Sequence, residues 1–109
     1  MTDKVVVLVT CKNSREGKLI ARHLLDKRLI ACANLLPQVN SLYRWKGKIV
    51  DEKECLMLIK STRKLFQPLS IEIEKLHGYS VPEIIAMPII DGAANYLNWI
   101  AESVRALQP

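Results

Sequence analysis

The sequence is short of the features that mark exported and membrane proteins. The first apolar stretch, Val5 to Val9, ends at Thr10 after five residues and follows Met1-Thr2-Asp3-Lys4, too short and wrongly flanked for a signal peptide or a membrane span. A cytoplasmic protein without a membrane partner is therefore expected. Cysteine is scarce as well. Cys11, Cys32 and Cys55 are odd in number and show no CxxC spacing, which excludes a paired disulfide framework and leaves reduced thiols, with Cys55 reading as a small core residue. No stretch is rich in Pro, Gly or Ser, no internal repeat occurs, and no block of like charge exceeds two or three residues. Linkers, solenoids and charged tails are thereby excluded, and residues 1–109 are expected to form one folded domain.

The charge balance is basic, with a formal net charge of +5 among 109 residues. Lys and Arg are nevertheless interleaved with Asp and Glu everywhere except from Lys12 to Arg28, so no nucleic-acid partner is expected from charge. No Gly-rich phosphate loop is present, and neither Cys11 nor His77 has a local group that would activate it as a nucleophile or base. His23 falls on a charged flank. An enzyme is not expected, nor is an organic cofactor.

What is present is a regular alternation of strand and helix patterns. Val5 to Cys11 is a continuous β-branched run, the pattern of a central strand covered on one face by helices and on the other by something this chain need not supply. Asn13 followed by Glu16 resembles a capping box, and Gly17, Ile20, Ala21 and Leu24 recur at helical spacing, predicting a helix over Ser14 to Lys27. Strand character resumes at Ala31, is interrupted at Pro37, and continues from Val39 to Trp45 with Tyr43 and Trp45 at alternate positions. Lys46-Gly47 marks a tight hairpin into a second arm, Ile49 to Ser61, with Cys55, Met57 and Ile59 on one face and Leu56, Leu58 and Lys60 on the other. Thr62 offers an N-cap for a second helix carrying Leu65, Leu69, Ile73 and Leu76, with Pro68 tolerable in its first turn and Gly78 suited to a left-handed C-cap. Ile84 to Ile90 reads as a fourth strand shortened by Pro88, and Asp91 as the cap of a last helix with Ala93, Leu97, Ile100 and Val104 on one face.

Strand, helix, strand, strand, helix, strand, helix folds most simply as two split βαβ units: an α+β, ferredoxin-like βαββαβ sandwich with a long central hairpin and an extra C-terminal helix. The arm from Ile49 to Ser61 would measure about 43 Å, against a diameter of roughly 34 Å for a compact domain of this length. Such an arm overshoots its own domain and leaves Tyr43 and Trp45 wet unless another chain covers them. Edges that long are made safe by pairing identical chains in a closed ring. A bend at Pro37 that folds the hairpin back on its own core is the alternative.

The scaffold does not decide the function. The third strand, Lys53-Glu54-Cys55-Leu56-Met57-Leu58-Ile59-Lys60, lacks the Gly-aromatic signature of an RNA-recognition domain, and Cys11 is followed by Lys12-Asn13-Ser14 where a soft-metal chaperone carries a second cysteine. Six segments are more specific: Val5 to Thr10, Arg28 to Pro37, Ser41-Leu42-Tyr43-Arg44-Trp45-Lys46-Gly47-Lys48, Ile59-Lys60-Ser61-Thr62, His77-Gly78-Tyr79-Ser80-Val81-Pro82-Glu83 and Tyr96-Leu97-Asn98-Trp99. In order and spacing they resemble the CutA family of divalent-cation tolerance proteins, and the resemblance covers nearly the whole chain.

The resemblance implies a homotrimer in which hairpins of neighbouring subunits pair, tolerance of copper and other divalent cations through metal binding or sensing, and a fold similar to the PII signalling trimers. Relatives proposed to bind copper carry Cys at the position of Val9 and a second His at that of Leu76; here His77 remains, Cys11 lies two residues along the same strand face, and Gly78 replaces the usual Pro. His77, Cys11 and Glu83 are the implied donors for weakly bound copper(II) or another divalent cation. A His at a helix C-terminus more often bonds the last carbonyls than a metal, and that is the plain reading of His77. The alternative function is a PII-like trimer that binds a small anionic ligand in clefts between subunits, where Tyr43, Trp45, Lys60, Tyr79 and Glu83 would converge. Tyr43 and Trp45 read also as interface packing, and Lys60 and Glu83 as an ion pair across a subunit boundary.

Overall fold

A computed structural model describes residues 2–105, so the expectation of a fully folded chain reaches Met1 and residues 106–109, which lie outside the described residues. The elements are β1 (Lys4–Cys11), α1 (Ser14–Asp26), β2 (Cys32–Trp45), β3 (Lys48–Thr62), a 3-10 turn (Arg63–Leu65), α2 (Phe66–Leu76), β4 (Ile84–Pro88) and α3 (Ala94–Ser103). The strands form one antiparallel sheet in the order β2-β3-β1-β4. Among the described residues no helix is long and apolar enough to cross a membrane.

The two faces of this sheet have different fates. Along β1, Val5, Val7, Val9 and Cys11 are buried while Val6, Leu8 and Thr10 are only half-buried. Cys55, Met57 and Ile59 of β3 continue the buried face, and Ile20 and Leu24 of α1 with Leu69 and Ile73 of α2 complete the core against it. Gly17 lets α1 approach closely: a methyl group there would stand 3.0 Å from Leu35 Cδ2 and 3.3 Å from both the Cys11 and Cys55 sulfurs. On the opposite face α3 covers one end, where the Tyr96 hydroxyl meets Cys32 Sγ at 3.6 Å and Ile100 is fully buried apart from the main core.

Local chemistry explains most boundaries. Asn13 Oδ1 accepts from the Glu16 amide at 2.9 Å and starts α1. The reciprocal half of a capping box does not form, because Glu16 accepts from the Lys12 and Gly78 amides instead. The helix ends with Arg28 in the left-handed region (φ 56°), the Arg28 amide bonded to Leu25 O and the Leu29 amide to Leu24 O, a Schellman arrangement clamped by buried Leu29. Lys46 and Gly47, at φ 50° and 79°, make the two-residue turn whose twist suits a hairpin.

Four expectations are corrected. Thr62 makes no side-chain cap, and the 3-10 turn precedes α2. Gly78 is not a left-handed cap, because the chain leaves α2 at His77 in an extended conformation (φ −74°, ψ 138°). Leu76 is 43% exposed, so the buried stripe of α2 stops at Leu69 and Ile73. Asp91 does not cap α3: its carboxylate is taken by the adjacent Gly92 amide at 2.8 Å, and the helix begins after Ala93 without a side-chain cap.

The hairpin runs well past the core. A straight strand of fifteen residues such as β3 would measure roughly 50 Å, more than the 43 Å long axis of the molecule, so the hairpin spans that axis and curves. Its source of curvature is the bulge at Pro37-Gln38: Leu36 pairs with Leu56 and Val39 with Glu54, so two residues of β2 face one of β3. The extra residue reverses the alternation of β2, and Val39, Ser41 and Tyr43 now lie on the same side as Glu54 and Glu52. The hairpin bends there without folding onto the core, leaving Leu42 and Ile49 about 70% exposed (69% and 71%).

One surface network ties the helices together. Glu72 of α2 accepts from His23 at 2.8 Å and pairs with Lys27 at 3.1 Å, both at the end of α1, and with Lys75 at 3.0 Å. These partners, His23 first, hold its carboxyl at about 2, well below the ordinary value of 4.5. A depressed folded-state value means that Glu72 stabilises the fold above about pH 4.5 and loses that contribution as pH falls towards 2. Glu72→Gln should therefore melt below the wild type at neutral pH, and the two melting curves should converge as pH is lowered through that window; a gap that persists at pH 2 would show that the ion pairs are not its origin.

Candidate functional site

Residues that the bulge re-aims form one wall of a cleft of about 800 Å³; the segment Gly78–Glu83, between α2 and β4, forms the other. Tyr43, Trp45 and Tyr79 supply aromatic surface, and Glu52, Glu54 and Glu83 supply carboxylates. Among the described residues neither Lys nor Arg lines it, although the chain as a whole carries a net charge of +5. Thr10 closes the floor from the end of β1.

Hydrogen bonds order the carboxylates. Tyr79 Oη donates to Glu54 Oε2 at 2.9 Å, and Tyr43 Oη donates to Glu52 Oε1. Glu54 is 6% exposed. The bond to Glu52 raises the Tyr43 hydroxyl to about 12, and burial, followed by the bond to Glu54, pushes the Tyr79 hydroxyl up, so both stay protonated donors at neutral pH. Each carboxylate uses one acceptor position on its tyrosine and keeps others facing the cleft.

His77 fastens the loop wall and does not open into a free donor. The Tyr79 amide donates to Nδ1 at 3.1 Å, which leaves the hydrogen on Nε2 to donate to Thr10 O at 2.7 Å. The ring is 8% exposed and lies 4.8 Å from the Tyr79 ring. Of the two readings from sequence, a backbone-bonded group describes this arrangement, with the carbonyl belonging to β1 in place of the end of α2. Glu16 adds a second fastening through the Gly78 amide at 3.2 Å.

The sequence-derived donor set is not gathered into one place. Cys11 is fully buried on the helix side of the sheet, its thiol pushed up to about 12 first by burial and then by Cys55. Glu83 is exposed on the cleft wall. Among the described residues no three His, Cys, Asp or Glu side chains form a group that could hold a metal ion. Of the five residues expected to share an inter-subunit cleft, Tyr43, Trp45, Tyr79 and Glu83 line this one. Lys60 does not, because it bonds Asn34 on the open sheet face. Glu52 and Glu54 were not singled out from the sequence. The signal for Glu54 was a charge directly before the apolar stretch Cys55 to Ile59, and for both, the phase reversal that a proline within a strand can impose.

Comparison with known proteins gives consistent matches. The sequence pattern of the family described as CutA1 divalent ion tolerance protein matches residues 5–103. The Divalent-cation tolerance protein CutA of Thermus thermophilus is 42% identical over 98 residues, 90% of this chain and 95% of that protein. Protein CutA of Mus musculus is 46% identical over 99 residues, and this chain spans about half the length of that relative (56%). Among solved structures, the Thermus thermophilus Cut A1 protein superposes with a TM-score of 0.91 at 40% identity, covering 94% of this chain and 99% of that one. The periplasmic divalent cation tolerance protein CutA of Archaeoglobus fulgidus also gives 0.91, at 33% identity, with the same coverage of both chains.

The loop fastening has a measurable consequence. His77→Ala removes both bonds of the ring and leaves a part-buried carbonyl short of a donor, so it should cost about 1–3 kcal/mol. Amide hydrogen exchange at Tyr79 should accelerate beyond the change in global stability; unaltered exchange would show that the loop is held by Glu16 alone.

Proposed function

The chain belongs to the CutA1 divalent ion tolerance family, and from that premise we propose that it acts in divalent-cation tolerance as a cytoplasmic homotrimer of ferredoxin-like subunits that hold copper(II) or a similar divalent cation weakly. The observation that carries the assembly is the exposed apolar surface: Leu42 and Ile49 stand in water on the hairpin face opposite Tyr43 and Trp45, and Ile85 and Met87 leave the open sheet face about half bare. A hairpin arm with that composition is stable when neighbouring copies cover it, and a closed ring leaves no edge over.

Weak binding follows from the state of the donors. Copper(II) stands high in the affinity order for imidazole and carboxylate ligands. To reach His77 Nδ1 it has to displace the Tyr79 amide, and Cys11 contributes sulfur only by losing a proton that burial retains. Glu83 is the exposed oxygen donor on the same side. The reading assigns no catalytic step. The anion-binding alternative, PII-like, finds no favourable charge in this chain's own cleft, where the carboxylates stand without Lys or Arg.

Light scattering at micromolar concentration should give about three times 12.4 kDa, and Ile49→Asp, harmless to an isolated subunit at an exposed position, should lower that mass. A wild-type mass of one chain would end the assembly reading. In copper(II) titrations followed by calorimetry, binding should be weak, further weakened several-fold by His77→Ala, and unchanged by Cys11→Ser. Identical titrations for all three proteins would remove His77 from the site.

A further inference from the structure

Tolerance of a metal ion leaves the aromatic part of the cleft without a purpose. Three of the six aromatic residues of the chain, Tyr43, Trp45 and Tyr79, line it. A carboxylate as buried as Glu54 is ordinarily paired with a cation, yet Glu54 is bonded only by a neutral hydroxyl, and among the described residues no Lys, Arg or His nitrogen forms an ion pair with it. The missing partner is a positive charge that the described chain does not supply.

The dimensions and the lining say what kind of charge. A bare metal ion needs donors converging at about 2.0–2.6 Å, and among the described residues no three His, Cys, Asp or Glu groups converge. A volume of about 800 Å³ is instead that of a site for a small organic molecule. Aromatic faces offer no lone pairs to a hard cation but attract weakly hydrated ammonium groups through the ring quadrupole. Glu52 and Glu54, two residues apart on one strand face, are separated by roughly 7 Å, with Glu83 on the opposite wall. Carboxylates spread along a cleft suit a ligand with several charges on a flexible apolar body.

We propose that this cleft binds a small aliphatic polyamine, with its ammonium groups on Glu52, Glu54 and Glu83 and its methylene chain across Tyr43, Trp45 and Tyr79. The two tyrosine hydroxyls hold the first two carboxylates in place, and the fastening of Gly78 and Tyr79 by Glu16 and His77 keeps the far wall in position. The proposal goes beyond cation tolerance: it shares Glu83 with the copper reading, while Glu52, Glu54 and the aromatic walls belong to it alone.

Calorimetric titration of the full-length protein in its native assembly with spermidine, in parallel with magnesium and with butylamine, tests it. Spermidine should bind saturably at one site per chain, butylamine at least tenfold more weakly, and magnesium at equal ionic strength should fail to displace the polyamine. Glu54→Gln, which keeps a carbonyl for Tyr79, and Glu83→Gln, at an exposed position where folding is not at stake, should each weaken binding tenfold or more. Trp45→Phe should reduce the change in tryptophan fluorescence on binding. Absence of saturable binding, including in an assembly whose neighbouring hairpins fill the cleft, would overturn the proposal. So would displacement by magnesium, or unchanged affinity in both glutamate variants. The copper titration and the mass measurement are read separately, so failure here leaves the tolerance reading where it stood.

Discussion

The ladder between β1 and β3 is the constraint from which the rest of the molecule follows. It runs without a break from Lys4 opposite Thr62 to Cys11 opposite Cys55 and stops there, because β1 has eight residues and β3 has fifteen. Within the ladder, strict alternation sends Val5, Val7, Val9, Met57 and Ile59 beneath α1 and α2 and keeps the other set on the open face. Beyond Cys55, β3 has β2 on one side and, among the described residues, no strand on the other, so the hairpin is a two-stranded ribbon with two bare edges. Two-stranded ribbons are marginal in water. The same ladder that builds the core therefore creates the part of the chain that most needs covering.

Charge is distributed with equal consequence. A chain with a surplus of five positive charges attracts anions at long range, but fields within a cleft are set by the groups that line it, since screening at physiological salt acts over about 8 Å. The cleft is acidic because the phase reversal at Pro37-Gln38 brings one face of β2 beside Glu52 and Glu54, and because the loop after α2 adds Glu83 and covers Glu54. Its sign is therefore a product of the register and independent of the overall composition.

Periodicity made much of the fold legible. The two-residue turn at Lys46-Gly47, the buried stripe of α1 and the alternation of Cys55, Met57 and Ile59 are short-range patterns, and each stands where the sequence places it. The failures are places where two partners competed for one group. Glu16 was expected to close a capping box but is drawn to the Gly78 amide 62 residues away, and the Asp91 carboxylate turns to its neighbour Gly92 and leaves α3 uncapped. Gly78 was read as a left-handed cap from its identity alone, whereas His77, whose Nε2 donates to Thr10 O, leaves α2 in an extended path. The site was legible only in its aromatic half. Tyr43 and Trp45 stand out in any strand, but Glu52 and Glu54 look like ordinary surface charges until the bulge sets which face they share.

The donor atoms show why residue type alone could not settle the chemistry. Histidine and cysteine suggest a soft or borderline metal only while their lone pairs are free. In this chain the imidazole spends one nitrogen on a carbonyl and the other on an amide, and the thiol keeps its proton under α1. Both have been converted into structural groups by the same feature, the junction where the end of β1 meets the loop after α2. The carboxylates on the other side of that junction retain free acceptor positions, and they face a cleft with aromatic walls. Free acceptor atoms thus lie on the residues that register and a proline expose, and not on those that residue type alone would choose.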